Sequence, residues 1–144
     1  MVSPGMPTTR LVPEDVYTNL PDGRPVEELY SQVVSTTGTR HVHVSGTVSL
    51  DTSGDVVGAD DMTRQVQKTL ANIQKSLANV DADVTDIIRI KIYTVDVQRY
   101  IDEGTPELVE FFGKENMPTS TLLGVDGLAH PDLLVEIEAT AVVD

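Results

Sequence analysis

Cysteine is missing from this chain, so disulfides and thiolate chemistry are excluded. Long apolar runs are missing too: none approaches the roughly 20 residues of a membrane span. Residues 1–13 lack the basic-then-apolar pattern of a secretory signal, so a soluble cytoplasmic protein is expected. No glycine-rich nucleotide loop occurs, and Gly124 to Gly127 resembles no phosphate loop. Internal repeats and low-complexity segments are absent as well. Cations are few: 10 Lys and Arg face 23 Asp and Glu, for a net charge of -13. Such a surface repels phosphate backbones, which argues against nucleic acid as a partner. An Asp-rich, Lys-poor surface fits a salt-adapted protein, but an ordinary acidic cytosolic protein is the preferred reading.

What is present suits one domain with one core, at 144 residues. Residues 1–28 hold five of the eight prolines and no sustained periodicity. They read as a largely irregular N-terminal extension with a short strand near Val12, ahead of a single domain over residues 29–144. Tyr30 to Val34 is β-prone. Arg40 to Leu50 alternates, with Val42, Val44, Gly46, Val48 and Leu50 on one face and His41, His43, Ser45, Thr47 and Ser49 on the other. Gly46 marks a bulge or a close backbone approach.

Met62, Val66, Leu70, Ile73, Leu77 and Val80 form one apolar helical stripe, with Asp60 as N-cap and Asp61 at the positive helix end. A strand follows from Ile88 to Val95, with Ile88, Ile90 and Ile92 opposite Arg89, Lys91 and Tyr93. A second helix is expected to start near Pro106, a tolerated first-turn proline. Thr119 to Val125 and Leu133 to Val143 read as the last strands, the latter with Glu136, Glu138 and Thr140 on its polar face. Two helices can cover only one face of such a sheet. The other face is therefore solvated or meets another subunit.

The residues Tyr30-Ser31-Gln32, Ser45-Gly46, Gln65, Thr69, Leu70, Asn72, Lys91, Phe111-Phe112, Met117-Pro118 and Ile137-Glu138-Ala139 occur in an order and spacing that resemble the RidA/YjgF (Rid) family of enamine/imine deaminases. The resemblance runs from about Tyr30 to Val142. It implies an α+β, chorismate-mutase-like or ferredoxin-like subunit with two helices on one sheet face. It also implies a homotrimer, a small-molecule ligand in each inter-subunit cleft, no cofactor and no metal. Members of this family have been called ribonucleases, a role the charge argues against here.

Carried over by position, the resemblance makes Tyr30 a pocket-lining residue and Ser45 and Gly46 part of the pocket wall. Glu138 matches the glutamate that orients or activates the attacking water. Thr119 and Ser120 follow Pro118, and Ser120 takes the place of the family's substrate-carboxylate arginine. The family's asparagine at the head of the second helix falls on Gly104 or Thr105. A guanidinium grips a carboxylate through two charge-assisted bonds, whereas serine offers one neutral hydroxyl. The expectation is a deaminase of atypical substrate, poor on the imines of simple amino acids and better suited to a substrate without a carboxylate. The alternative is a non-catalytic trimer that binds a small metabolite or a partner protein.

Plainer roles stand beside these. Glu138 could pair with Arg89 or Lys91 across polar strand faces. Tyr30 could be an edge-strand aromatic, and Phe111-Phe112 suits the core. His41 and His43 share a strand face, as half of a metal site with His130 or an aspartate, or as a solvated or interface face, and the second reading is preferred. Ser120 lacks the histidine-acid pattern of a nucleophile. The uncovered sheet face makes assembly testable. Light scattering at micromolar concentration should give three times the 15.6 kDa chain mass, and a monomer mass would refute the trimer.

Overall fold

Residues 8–144 are described by a computed structural model. Its organising element is β6 (Val135–Val143), where buried Val135, Ile137, Ala139 and Ala141 alternate with half-buried Glu136, Glu138 and Thr140. This strand pairs antiparallel on one side with β3 (Arg40–Val48) and on the other with β4 (Ile87–Thr94). Strand β5 (Thr119–Gly124) joins β4 in parallel, giving the order β3-β6-β4-β5. A separate ribbon pairs β1 (Thr9–Leu11) with β2 (Val33–Ser35). The strand expected from Tyr30 to Val34 thus starts later. Tyr30 follows a 3-10 turn, Val26–Glu28, and its N–H donates to the Val26 carbonyl at 3.0 Å. Among the described residues, no helix is long and apolar enough to cross a membrane.

Helix α1 (Met62–Ala78) lays its stripe on the inner sheet face, burying Met62, Val66, Leu70, Ile73 and Leu77. Each such burial stabilises by about 1.5–3 kcal/mol. Val80 lies past the helix end and is 43% exposed, so the stripe stops one step short of the expectation. The N-cap is Asp61, which accepts the Arg64 N–H at 3.0 Å, and not Asp60. Asp60 adopts a φ of 57° and receives Arg99 at 2.9 Å instead.

The second helix, α2, starts earlier than Pro106. Capped by Asp96, it begins at Val97–Arg99, widens through a π-turn at Tyr100–Gly104 and continues over Thr105–Phe112. A proline inside a regular helix has no N–H for the ladder, and its ring clashes with the carbonyl four residues back. The wider turn just ahead of Pro106, closed by the Thr105 N–H on the Tyr100 carbonyl, relieves both problems.

Two register shifts re-aim side chains. On β3, Val44 faces Ala139 while Thr47 faces Ile137, so one extra residue is inserted at Ser45-Gly46. Beyond this bulge the alternation inverts: Thr47 and fully buried Ser49 turn toward the helices, and Val48 pairs with Glu136. The expectation that Val48 shares a face with Val42 and Val44 fails for this reason. A second shift in the β4–β6 pairing buries Ile87 rather than Ile88.

Polar side chains lock the layers together. Fully buried Gln65 donates to the carbonyls of Gly58 (3.0 Å) and Asp132 (2.8 Å) and accepts the Leu134 N–H (2.8 Å). Asn72 donates to the carbonyls of Val48 and Leu50, both at 3.0 Å. Gln65→Leu keeps the volume but strands three backbone groups. It should cost on the order of 3 kcal/mol in urea unfolding, since each unsatisfied buried group costs about 1–3 kcal/mol. Unchanged stability would show that these bonds contribute nothing net.

Candidate functional site

The Tyr-Ser-Gln and Met-Pro-Thr-Ser segments are 86 residues apart in sequence and touching in space. Buried Ser31 donates its hydroxyl to the Met117 carbonyl at 2.6 Å, and its N–H to the Pro118 carbonyl at 3.1 Å. This double tie sets Tyr30 beside the start of β5. Ser120 is the register partner of buried Ile90, so it faces the helix layer. Tyr30 and Ser120 together line a cavity of about 250 Å³ between β5, α2 and the segment before Tyr30. Thr105 lines it as well, whereas a Cβ on Gly104 would strike the Tyr100 ring at 2.7 Å. Of the two candidates for the head-of-helix position, Thr105 is the one in the cavity.

Among the described residues, Arg24 is the single charged residue of this lining. It sits on a tight turn in which the Leu20 N–H bonds the Arg24 carbonyl and Gly23 takes a φ of 88°, a conformation that favours glycine. Asp22 holds Arg24 through its N–H (3.0 Å) and Nε (2.8 Å). The Arg24 N–H, first of all, keeps the Asp22 carboxyl below its usual range. Burial, and then the neighbouring Tyr17 phenol, push the Tyr30 hydroxyl up to about 12. Burial also raises Tyr100. Both phenols therefore stay neutral at physiological pH and are not available as bases.

Glu138 stands on the opposite sheet face. Its register partner on β4 is Lys91, and on β3 it lies across from the Ser45-Gly46 bulge. The Glu136 carboxylate packs against Gly46, where a Cβ would displace it. The Tyr93 hydroxyl donates to Glu138 Oε1, and Lys91 Nζ lies 5.7 Å from the Tyr93 ring centre. Among the described residues no ion pair joins Glu138 to Arg89 or Lys91. Arg89, Lys91, Glu138 and Thr140 edge a polar cleft of about 230 Å³ on this face.

A family profile described as endoribonuclease L-PSP matches residues 23–143. The chain belongs to this family, the Rid/YjgF family. The fold agrees. The Rid-family protein of unknown function YyfB from Yersinia pestis shares 29% identity and a TM-score of 0.80, over 94% of this chain and 98% of its own. A YjgF/YER057c/UK114-family protein from Mycobacterium tuberculosis shares 29% identity and a TM-score of 0.62, over 95% and 100%. A YjgF-family protein from Neisseria meningitidis shows the same fold at 22% identity and a TM-score of 0.62, over 96% and 97%. None of the curated proteins compared with the chain matches it.

Within one Rid subunit, then, the expected site residues fall into two groups. Tyr30 and Ser120 share the helix-side cavity; Ser45, Gly46 and Glu138 share the open face. Thr119 is the register partner of Arg89 and spends its hydroxyl on the Ile88 carbonyl at 3.0 Å, so it belongs to neither pocket. His130 accepts the Asp132 N–H within its own loop, and no group of three His, Cys, Asp or Glu among the described residues could hold a metal ion.

Sequence reasoning missed Arg24 and Tyr100. Arg24 was hidden in a proline-rich stretch without periodicity, though its Asp-Gly-Arg turn was a local signal. Nothing local marked Tyr100. The Ser31 tie makes a direct test. Ser31→Ala strands the Met117 carbonyl and frees Tyr30 from β5, so it should cost about 1–3 kcal/mol of stability. A Ser31→Ala melting curve equal to wild type would dismiss the tie.

Proposed function

We propose that this Rid-family chain is an enamine/imine deaminase assembled as a homotrimer, with its reaction site shared between subunits. Trimers are typical of the family. The observation that carries the reading is Glu138: a half-buried carboxylate on an uncovered sheet face, oriented by the Tyr93 hydroxyl and faced by a bulge. Such a carboxylate can take a proton from water as the oxygen attacks an imine carbon, and can return it to nitrogen as ammonia leaves. The balance is imine plus water to carbonyl plus ammonia, with no cofactor. An enamine first gains a proton at carbon to become the imine.

The helix-side cavity would hold the substrate body. Tyr30 would line it, and backbone groups near Ser120 would hold the ligand. Because the sheet lies between this cavity and Glu138 of the same chain, the two meet only if the neighbour's open face closes the cavity mouth. The cavity flanks β5, an edge strand, where a neighbour can approach. The net charge of -13 favours a small molecule over RNA.

The same separation favours a second reading, a trimer that binds a small metabolite without turning it over. Ammonia release from imines generated in situ by an amino-acid oxidase separates the two. Glu138→Gln should abolish release while leaving the trimer intact. An inactive cavity variant, Ser120→Trp, mixed and reassembled with Glu138→Gln should recover about a quarter of wild-type activity, the share of random interfaces that unite two intact halves. Wild-type chain with no turnover of any imine would leave the binding reading; turnover untouched by Glu138→Gln would remove Glu138 from the chemistry.

A further inference from the structure

We infer that the helix-side cavity and the groove outside it form one elongated site for an uncharged ligand with a long apolar tail, its carbonyl or imine end beside Ser120 and its tail laid along α2. This names a substrate class for the deaminase reading and rests on that reading for the cavity being the substrate site. The two spaces are continuous. Arg24, Leu29, Ile101 and Thr105 line both the cavity of about 250 Å³ and a more open groove of about 660 Å³. The cavity thus has a second opening, over the helix surface and away from β5.

Helix α2 fixes the direction and the length of the groove. Beyond the shared residues it runs over Pro106 and Val109 to Gly113, where the helix ends. The helix advances about 12 Å from Thr105 to Gly113, at roughly 1.5 Å per residue. Gly113 takes a φ of 79°, and a Cβ there would meet no atom within 4 Å, so the far end is open. An imine of serine or threonine would leave this length empty. An alkyl chain would cover Leu29, Ile101, Pro106 and Val109, and each methylene so buried adds to binding.

Charge selects against an acid. Among the described residues, the groove sets Arg24 and Lys114 against Glu28 and Glu110, so its charges cancel. Lys114 stands 3.8 Å from Glu28. Arg24, shared with the cavity, is held by Asp22 at 2.8 Å. No excess positive charge is left for a carboxylate, in a chain whose net charge of -13 already repels one. At the inner end, Ser120 and Thr105 offer neutral hydroxyls, which suit a neutral carbonyl or imine. The walls there, Ile92, Leu108 and Leu122, are apolar. The reactive end then lies at β5, where the neighbour's open face would bring Glu138.

The probes are straight-chain methyl ketones from 2-butanone to 2-nonanone, the stable carbonyl products of neutral imines, with 2-oxooctanoate as the charged counterpart of 2-octanone. Binding to the full chain is read by titration calorimetry. Wild-type affinity should rise about fourfold per added methylene, and 2-octanone should bind more tightly than 2-oxooctanoate. Val109→Glu places a charge in the groove and should flatten the rise for the longer ketones. Because half-buried Val109 also packs on the core, exposed Pro106→Glu serves as the second variant, with the same expectation.

A wild-type affinity independent of chain length overturns the elongated site. A rise that survives both substitutions reports contact with apolar surface elsewhere and overturns it as well. Tighter binding of the acid than of the ketone overturns the uncharged class. Length-dependent binding that both variants flatten, without turnover of any imine, leaves this site standing and removes the deaminase reading. Glu138-dependent turnover with no effect of chain length on binding does the converse.

Discussion

Everything in this fold depends on a four-stranded sheet having helices on one face only. The inner face buries its apolar residues under α1 and α2. Among the described residues no helix covers the outer face, which carries Glu136, Glu138 and Thr140 beside Val48. One alternation therefore performs two tasks. It anchors the core through Ile137 and Ala139, and it presents Glu138 between them on the open side. Glu138 cannot be moved to the other face without slipping β6 by one residue and exposing the core.

The departures from regular geometry cluster where ligand chemistry would occur. The bulge at Ser45-Gly46 sits across from Glu138 and makes room for the Glu136 carboxylate. The π-turn at Tyr100–Gly104 accommodates Pro106 and sets Tyr100, Ile101 and Thr105 on the cavity wall. The tight turn at Gly23 aims Arg24 at the same cavity. Regular strands and helices pack with little freedom, so a local irregularity is the available way to re-aim one side chain without disturbing its neighbours.

Several residues that mark the family have structural work in this chain. Gln65 and Asn72 bond the backbone of neighbouring loops and strands, and Ser31 bonds the segment that carries Pro118. These motif residues therefore have a hydrogen-bonding role of their own, whatever chemistry stands beside them. The N-terminal segment shows the reverse. Its described part has little regular structure, yet it contributes β1, fully buried Val26, and Leu20 and Arg24 of the cavity.

The sequence by itself determined the family, the α+β class, the two helices, the uncovered polar face and the placement of Glu138 on it. The family is read from the order and spacing of its motif residues; the helices and the strand faces follow from periods of 3.6 and two residues, which are local and repeat often enough to be read. It also marked Gly46 as a bulge or close approach, but not that the alternation inverts beyond it, because an inserted residue shows only in pairing with β6. The start of α2 at Val97 was masked by Pro106, since a π-turn has no sequence period of its own. Only the tertiary structure separated Tyr30 and Ser120 from Glu138 and brought Arg24 and Tyr100 to the cavity. Those groupings depend on strand order and on one long-range tie at Ser31, and neither leaves a pattern along the chain.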